Sequence, residues 1–323
     1  MMVLVSYLVA FAAMCSLASA QAGPNTLAQY NPSKRTMSSN SSTFAPGPTI
    51  CGRVSQSPAF CILPISKADA QTISGYTPLD VPESVLPSFP AGMHPLIVQA
   101  GYDNDIRMTA LNLVPLQIPA LMHGSVAVPY VDVTGDGKTP ITAPINNYIG
   151  GTDGHDLQAL VPAIAAGISP FEGTTTFPAS FAPDTAAVKS LPGGLYSTEV
   201  KPYLLPNTIS GPGVYAEAFD MLYTLTHDSP YTEHTFHDLL NHPLLLNNGQ
   251  CQRNPLYFNA TFADPKMAVA NVTLYHQILS TPPAPIEGQY TDVYCYQANA
   301  EQLGYVGESC ATAAAEVDPK ALQ

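Results

Sequence analysis

The apolar and polar positions of this chain alternate mostly with the period of a β-strand. "SVAVPYVDV" (Ser125 to Val133) alternates and runs into "TGDGKTP", whose Gly-Asp-Gly reads as a hairpin turn. "GLYSTEVKPYLL" alternates again, placing Ser197, Glu199 and Lys201 on one face and Tyr196, Thr198 and Val200 on the other. "NVTLYHQIL" (from Asn271) and "QYTDVYCYQA" (from Gln289) are two further strands. Helical signals are fewer. "DLQALVPAIAAGI" has an Asp156 cap and an apolar face that Pro162 must kink or split. "TFHDLLNH" has a Thr235-x-x-Asp238 start and stops at Pro243. The pattern predicts an α+β, sheet-rich fold with strands enough for a barrel.

Composition divides the chain. Its first twenty residues are apolar and end in Ala-Ser-Ala, the form of a secretory signal peptide cleaved near Ala20. Residues 21–50 are rich in Ser, Pro and Asn and read as a flexible leader. Residues 51–92 are punctuated by proline and read as an arm laid over the main body, which spans 93–323. Cleavage leaves Cys51, Cys61, Cys251, Cys295 and Cys310. Cys51–Cys61 is the expected local disulfide, with two of the last three paired and one thiol left over. Sequons at Asn40, Asn259 and Asn271 fit a secreted glycoprotein. No later stretch is long and apolar enough to span a bilayer, so no membrane contact is expected after signal cleavage. A net charge of −13 argues against nucleic acid as a partner. No dinucleotide, P-loop or H-E-x-x-H motif is present.

Three places invite chemistry. His234 and His237, three apart on a helix face near His227, His242, Glu233 and Asp238, could hold a metal, or could simply pack beside a capped helix. "DVTGDGK" faintly resembles a calcium loop, but positions 3 and 12 are Thr134 and Ala143, and it reads as a hairpin tip. Arg107 is the one arginine of four inside apolar text, beside Asp103 and Asp105. Two readings stand for it: a fork for a substrate carboxylate, or an Arg–Asp pair locking a bend after Gly101.

The run "GGTDGHDLQALVPAIAAGISPFEGTTTFPASF" resembles the acetoacetate decarboxylases and their secreted fungal relatives. Pro162-Ala163-Ile164, Gly167 and Phe177-Pro178 carry the likeness, and "NNYIGG", "LLPNTISGPGV" and "HPLLLNNGQCQRN" extend it over residues 93 to 315. The resemblance implies a β-barrel or cone with few helices and decarboxylation of a β-keto acid through a lysine Schiff base, with no cofactor. Substrates would be keto acids or polyketide-derived carbonyl compounds of secondary metabolism. Here the sequence departs from the family, because its two lysine positions are Ala179 and Ser180, which form no imine. Either another lysine serves, or the chemistry runs without an imine, or the protein is a non-catalytic binder. Lys201 beside Glu199 is the first replacement amine and Lys189 the second. Arg107 would hold the substrate carboxylate, and Asp153, His155 and Asp156 would be acid–base groups. Ser180, His155 or Asn147 could donate hydrogen bonds to an enolate.

Overall fold

A computed structural model describes residues 49–110, 114–151, 174–182, 187–202, 217–258, 263–275 and 285–322, with backbone alone at 49–58, 105, 107–110 and 114–119. In chain order the first elements are β1 (Thr49–Ser66), α1 (Lys67–Ser74), β2 (Thr77–Pro78), β3 (Met93–Ala110), β4 (Val114–Asp132) and β5 (Ile141–Gly150). Then come β6 (Thr176–Ala182), β7 (Lys189–Leu191), β8 (Leu195–Pro202), β9 (Phe219–Thr226) and α2 (Glu233–Leu240). The chain continues through β10 (Leu244–Leu245), β11 (Cys251–Gln252), β12 (Leu256–Tyr257), β13 (Lys266–Leu274), β14 (Gly288–Gln297), β15 (Ala300–Tyr305) and α3 (Cys310–Ala315).

Nine of these strands close on themselves. The ring runs β1, β3, β4, β5, β6, β8, β9, β13, β14 and back to β1. Every pairing in it is antiparallel except β5 with β6. Alternation then sorts the side chains to two faces. One buried cluster draws Cys61, Val98, Val126, Tyr148, Phe181, Val200, Phe219, Ala270 and Cys295, one from each stave, so it lines the interior. Ala70 of α1 joins that cluster, which places the helix across one end of the barrel. Ser66 caps α1 and Gly75, in the left-handed region, ends it.

A second core lies outside the barrel. Phe60, Ile62, Ile97, Tyr130 and Tyr296 face away from the interior and pack against Val85, Leu86, Phe236 and Leu239, so α2 and residues 79–92 cover this side. Tyr130 has φ 54°, unusual for a non-glycine residue, and sits where the β4–β5 register shifts between Val128 and Val131. Its hydroxyl donates to the Asp238 carboxylate of α2, which His242 also meets at 3.2 Å. α2 begins earlier than the sequence suggested. Thr232 is its N-cap and Thr235 is N3, with the Thr232 N–H donating to Thr235 Oγ1.

Two expectations for the N-terminal region need correction. Residues 49–66 are a stave of the barrel rather than an arm; only the stretch after them lies over the body. Cys51 and Cys61 are not partners either. Both lie in β1, ten residues or about 33 Å apart on an extended strand, far beyond the reach of a disulfide. Cys61 instead bonds Cys295, its register partner on β14, and Cys251 bonds Cys310. The predicted helix at 156–168 lies outside the described residues.

Candidate functional site

β6 carries the segment in which the resemblance would place a nucleophile. Phe177 and Pro178 pair with Tyr148 and Ile149 of β5. Ala179 and Phe181 point into the barrel and are fully buried, while Ser180 points out and its Oγ reaches the Lys201 carbonyl at 3.5 Å. Packing around Ala179 is close. A Cβ on Gly150 would sit 2.8 Å from both the Ala179 carbonyl oxygen and the Phe181 ring, so glycine is what lets β5 approach β6 here.

The interior beside Ala179 is aromatic with few polar groups. Tyr148 lies 6.2 Å from Phe177 and 6.0 Å from Phe219, ring centre to ring centre. Its hydroxyl hydrogen-bonds buried Asn146, and burial pushes its pKa up. Tyr102 is a second inward phenol. It accepts from the Ala187 N–H at 2.8 Å, and burial raises its pKa to about 12. Thr198 donates to the Ala187 carbonyl, so both groups of that peptide are held by side chains. These inward groups are neutral hydrogen-bond donors and acceptors.

Among the described residues no lysine reaches this lining. Of the seven lysines, Lys34 lies outside the described residues. Lys67 pairs with Asp80, Lys266 pairs with Asp264, and Lys138, Lys189 and Lys320 are exposed. Lys201 shares a face of β8 with Glu199, as the alternation predicted, and that face is the outer one. Its Nζ is 2.9 Å from Glu199 and 3.0 Å from Glu217. The hydrogen bonds it donates to those two carboxylates raise its pKa well above the ordinary lysine value. An imine-forming amine needs the opposite shift and an inward position.

Asp220 completes the outer cluster opposite Glu199, and Tyr275 donates to it at 2.7 Å. Burial and the neighbouring Glu217 and Glu199 raise the Asp220 pKa. Glu217, Asp220 and Tyr275 escaped the sequence reading. The alternation of β9 (Phe219, Met221 and Tyr223 inward) would have turned Asp220 outward, but no sequence signal gives its register against Glu199.

The other expected residues scatter. Arg107 lies on β3 opposite Gly52 and Gln117, and its side chain is outside what the structure describes. The last β4–β5 pair is Met122 with Gly150, so the backbone at 107 lies five residues, about 17 Å along the strand, past the point where β5 closes the ring. Buried Asp103 lies 3.6 Å from His123 Nδ1, a neighbour the sequence did not suggest. Asp153, His155 and Asp156 lie outside the described residues. Asn147 donates to Thr174 at 2.7 Å. Lys189 is exposed on β7. The histidine group does not converge. His237 is buried, stacks on Phe258 and meets the Tyr296 hydroxyl, while His234 contacts the Leu322 carbonyl and His227 is exposed. At the tip between β4 and β5, Asp132 accepts from the Gly135 and Gly137 N–H groups and Asp136 from those of Lys138 and Thr139, as a hairpin turn requires.

Neither a family model nor a curated protein matches the chain. Among solved structures it is similar to an enduracididine biosynthesis enzyme, MppR, complexed with the condensation product of pyruvate and imidazole 4-carboxaldehyde. That match has TM-score 0.47 and 8% identity, covering 82% of this chain and 90% of that one. It is similar also to acetoacetate decarboxylase from Legionella pneumophila, with TM-score 0.42, 13% identity and coverage of 84% and 92%. A third is an acetoacetate decarboxylase-like enzyme from Sphingomonas wittichii RW1, with TM-score 0.43, 8% identity and coverage of 84% and 97%.

Proposed function

We propose that this is a secreted small-molecule-binding protein whose barrel takes a short keto acid or a related carbonyl compound without forming an imine. One observation carries the reading: of the two positions that the resemblance assigns to lysine, the inward one is the buried Ala179, and Lys201, across from the outward Ser180, is held as a cation on the opposite side of the wall. Small closed barrels are of a size that can hold one small ligand, and an apolar, aromatic lining with a few hydrogen-bonding groups suits a carbonyl compound. The signal peptide and two disulfides support secretion. Among the described residues no helix is long and apolar enough to cross a membrane.

A second reading, decarboxylation without an imine, is favoured by the Tyr148 hydroxyl and Asn146, neutral groups that could hydrogen-bond a developing enolate inside the barrel. Calorimetric titration with acetoacetate, pyruvate and acetone, run beside an assay of released carbon dioxide, separates the two. The binding protein gives saturable heat for at least one ligand while carbon dioxide is released no faster than in buffer. Tyr148→Phe weakens that binding about 2- to 12-fold, as expected for one lost hydrogen bond. Release faster than in buffer, and slowed by Tyr148→Phe, would favour the second reading; no saturable heat with any ligand would end the first.

A further inference from the structure

β9 presents an exposed leucine on its outer face. Leu222 is 41% exposed there, and Asn271 is its register partner on β13. Asn271 opens the sequon Asn271-Val272-Thr273 and is exposed; Thr273, two residues on in the same strand, shares its face. The pairing of β13 with β14 shifts register between Ala270 and Val272, so Asn271 sits at a bulge. Its side-chain oxygen is occupied, accepting from the Asp292 N–H at 3.3 Å. The amide is thereby oriented with Oδ1 toward β14 and Nδ2 turned away.

We infer that Asn271 carries an N-linked glycan that lies over the Leu222 face of the sheet. Transfer requires a polyprenyl-diphosphate-linked oligosaccharide as donor. The anomeric C–O bond to the diphosphate breaks, a C–N bond to Nδ2 forms, one Nδ2 proton is lost, and the diphosphate leaves. The product keeps Oδ1, so the bond from Asp292 survives modification. Of the three sequons, Asn40 and Asn259 lie outside the described residues, whereas here the acceptor nitrogen is placed on the surface.

The test uses full-length protein collected from the medium of a eukaryotic host. Peptide mass mapping should find Asn271 glycosylated, and peptide-N-glycosidase should convert it to aspartate. Asn271→Gln and Thr273→Ala should each lose one glycan's mass, while Thr273→Ser keeps it. Removing the glycan from folded protein should raise binding of a hydrophobic dye, and Leu222→Ser should abolish that rise. An unmodified Asn271 peptide in protein glycosylated elsewhere would overturn the assignment. Dye binding unchanged by deglycosylation would overturn the shielding of Leu222.

Discussion

Ser180 and Lys201 face each other across β6 and β8 on the outside of the barrel, while Ala179 and Val200, one residue earlier on each strand, lie inside. The two sides of this one wall differ in every property that governs amine chemistry. Inside, phenols and amides sit among aromatic rings, and burial keeps the phenols protonated. Outside, three carboxylates gather near one ammonium and hold it charged. With a side-chain period of two, a single step along the chain decides whether a lysine can be a nucleophile or only a partner in an ion cluster.

The inner side should answer mutation most strongly. Joint replacement of Cys61 and Cys295 by alanine should cost about 2–5 kcal/mol in urea unfolding. That bridge spans 234 residues and the Cys251–Cys310 bridge 59, so on chain-entropy grounds its loss should cost about 1 kcal/mol more. Equal costs would mean that closing the barrel through β1 and β14 adds nothing. Next comes Gly150→Ala, whose methyl meets the Ala179 carbonyl and Phe181. A loss of about 1–3 kcal/mol is expected, against less than about 0.5 kcal/mol for outward Ser180→Ala. Similar melting shifts for both would contradict the assignment of faces.

Lys201→Met should have the smallest effect, about 0–1 kcal/mol, because the ion cluster is partly exposed and salt screens it. The effect should shrink further in high salt. Since the folded-state pKa of Lys201 is raised, its contribution is fully present below the ordinary lysine value and is lost only as pH rises through the raised one. The difference between wild type and variant should therefore be flat from neutral to mildly alkaline pH. A difference that vanished near neutrality would place the amine in a different environment.

How much of this the sequence revealed depended on range. Local alternation placed Glu199 and Lys201 on one face and Thr198 and Val200 on the other, because period two is intrinsic to an extended backbone. The hairpin tip at Asp132–Lys138 was legible too, because Gly135-Asp136-Gly137 carries its turn signal locally. β1 was misread because prolines punctuate it. Pro58 falls where the β1–β3 register shifts, and Pro64 stands opposite Pro95, places a strand tolerates without a break. The disulfides were misassigned because proximity in sequence separates residues along a strand, whereas Cys61 and Cys295 meet only through the closure of the ring. Glu217 and Asp220 were invisible as partners of Lys201, since cross-strand register is a tertiary property. The helix cap slid from Thr235 to Thr232 because both threonines satisfy the capping pattern, one as N-cap and the other as N3.

Sodium borohydride added to the native protein with acetoacetate, followed by intact-mass measurement and peptide mapping, tests the absence of an imine most directly. The mass should stay unchanged, with every lysine peptide unmodified, although acetoacetate binds. A borohydride-dependent adduct on any lysine would contradict the account, and one on Lys201 would contradict its outward, cationic placement as well.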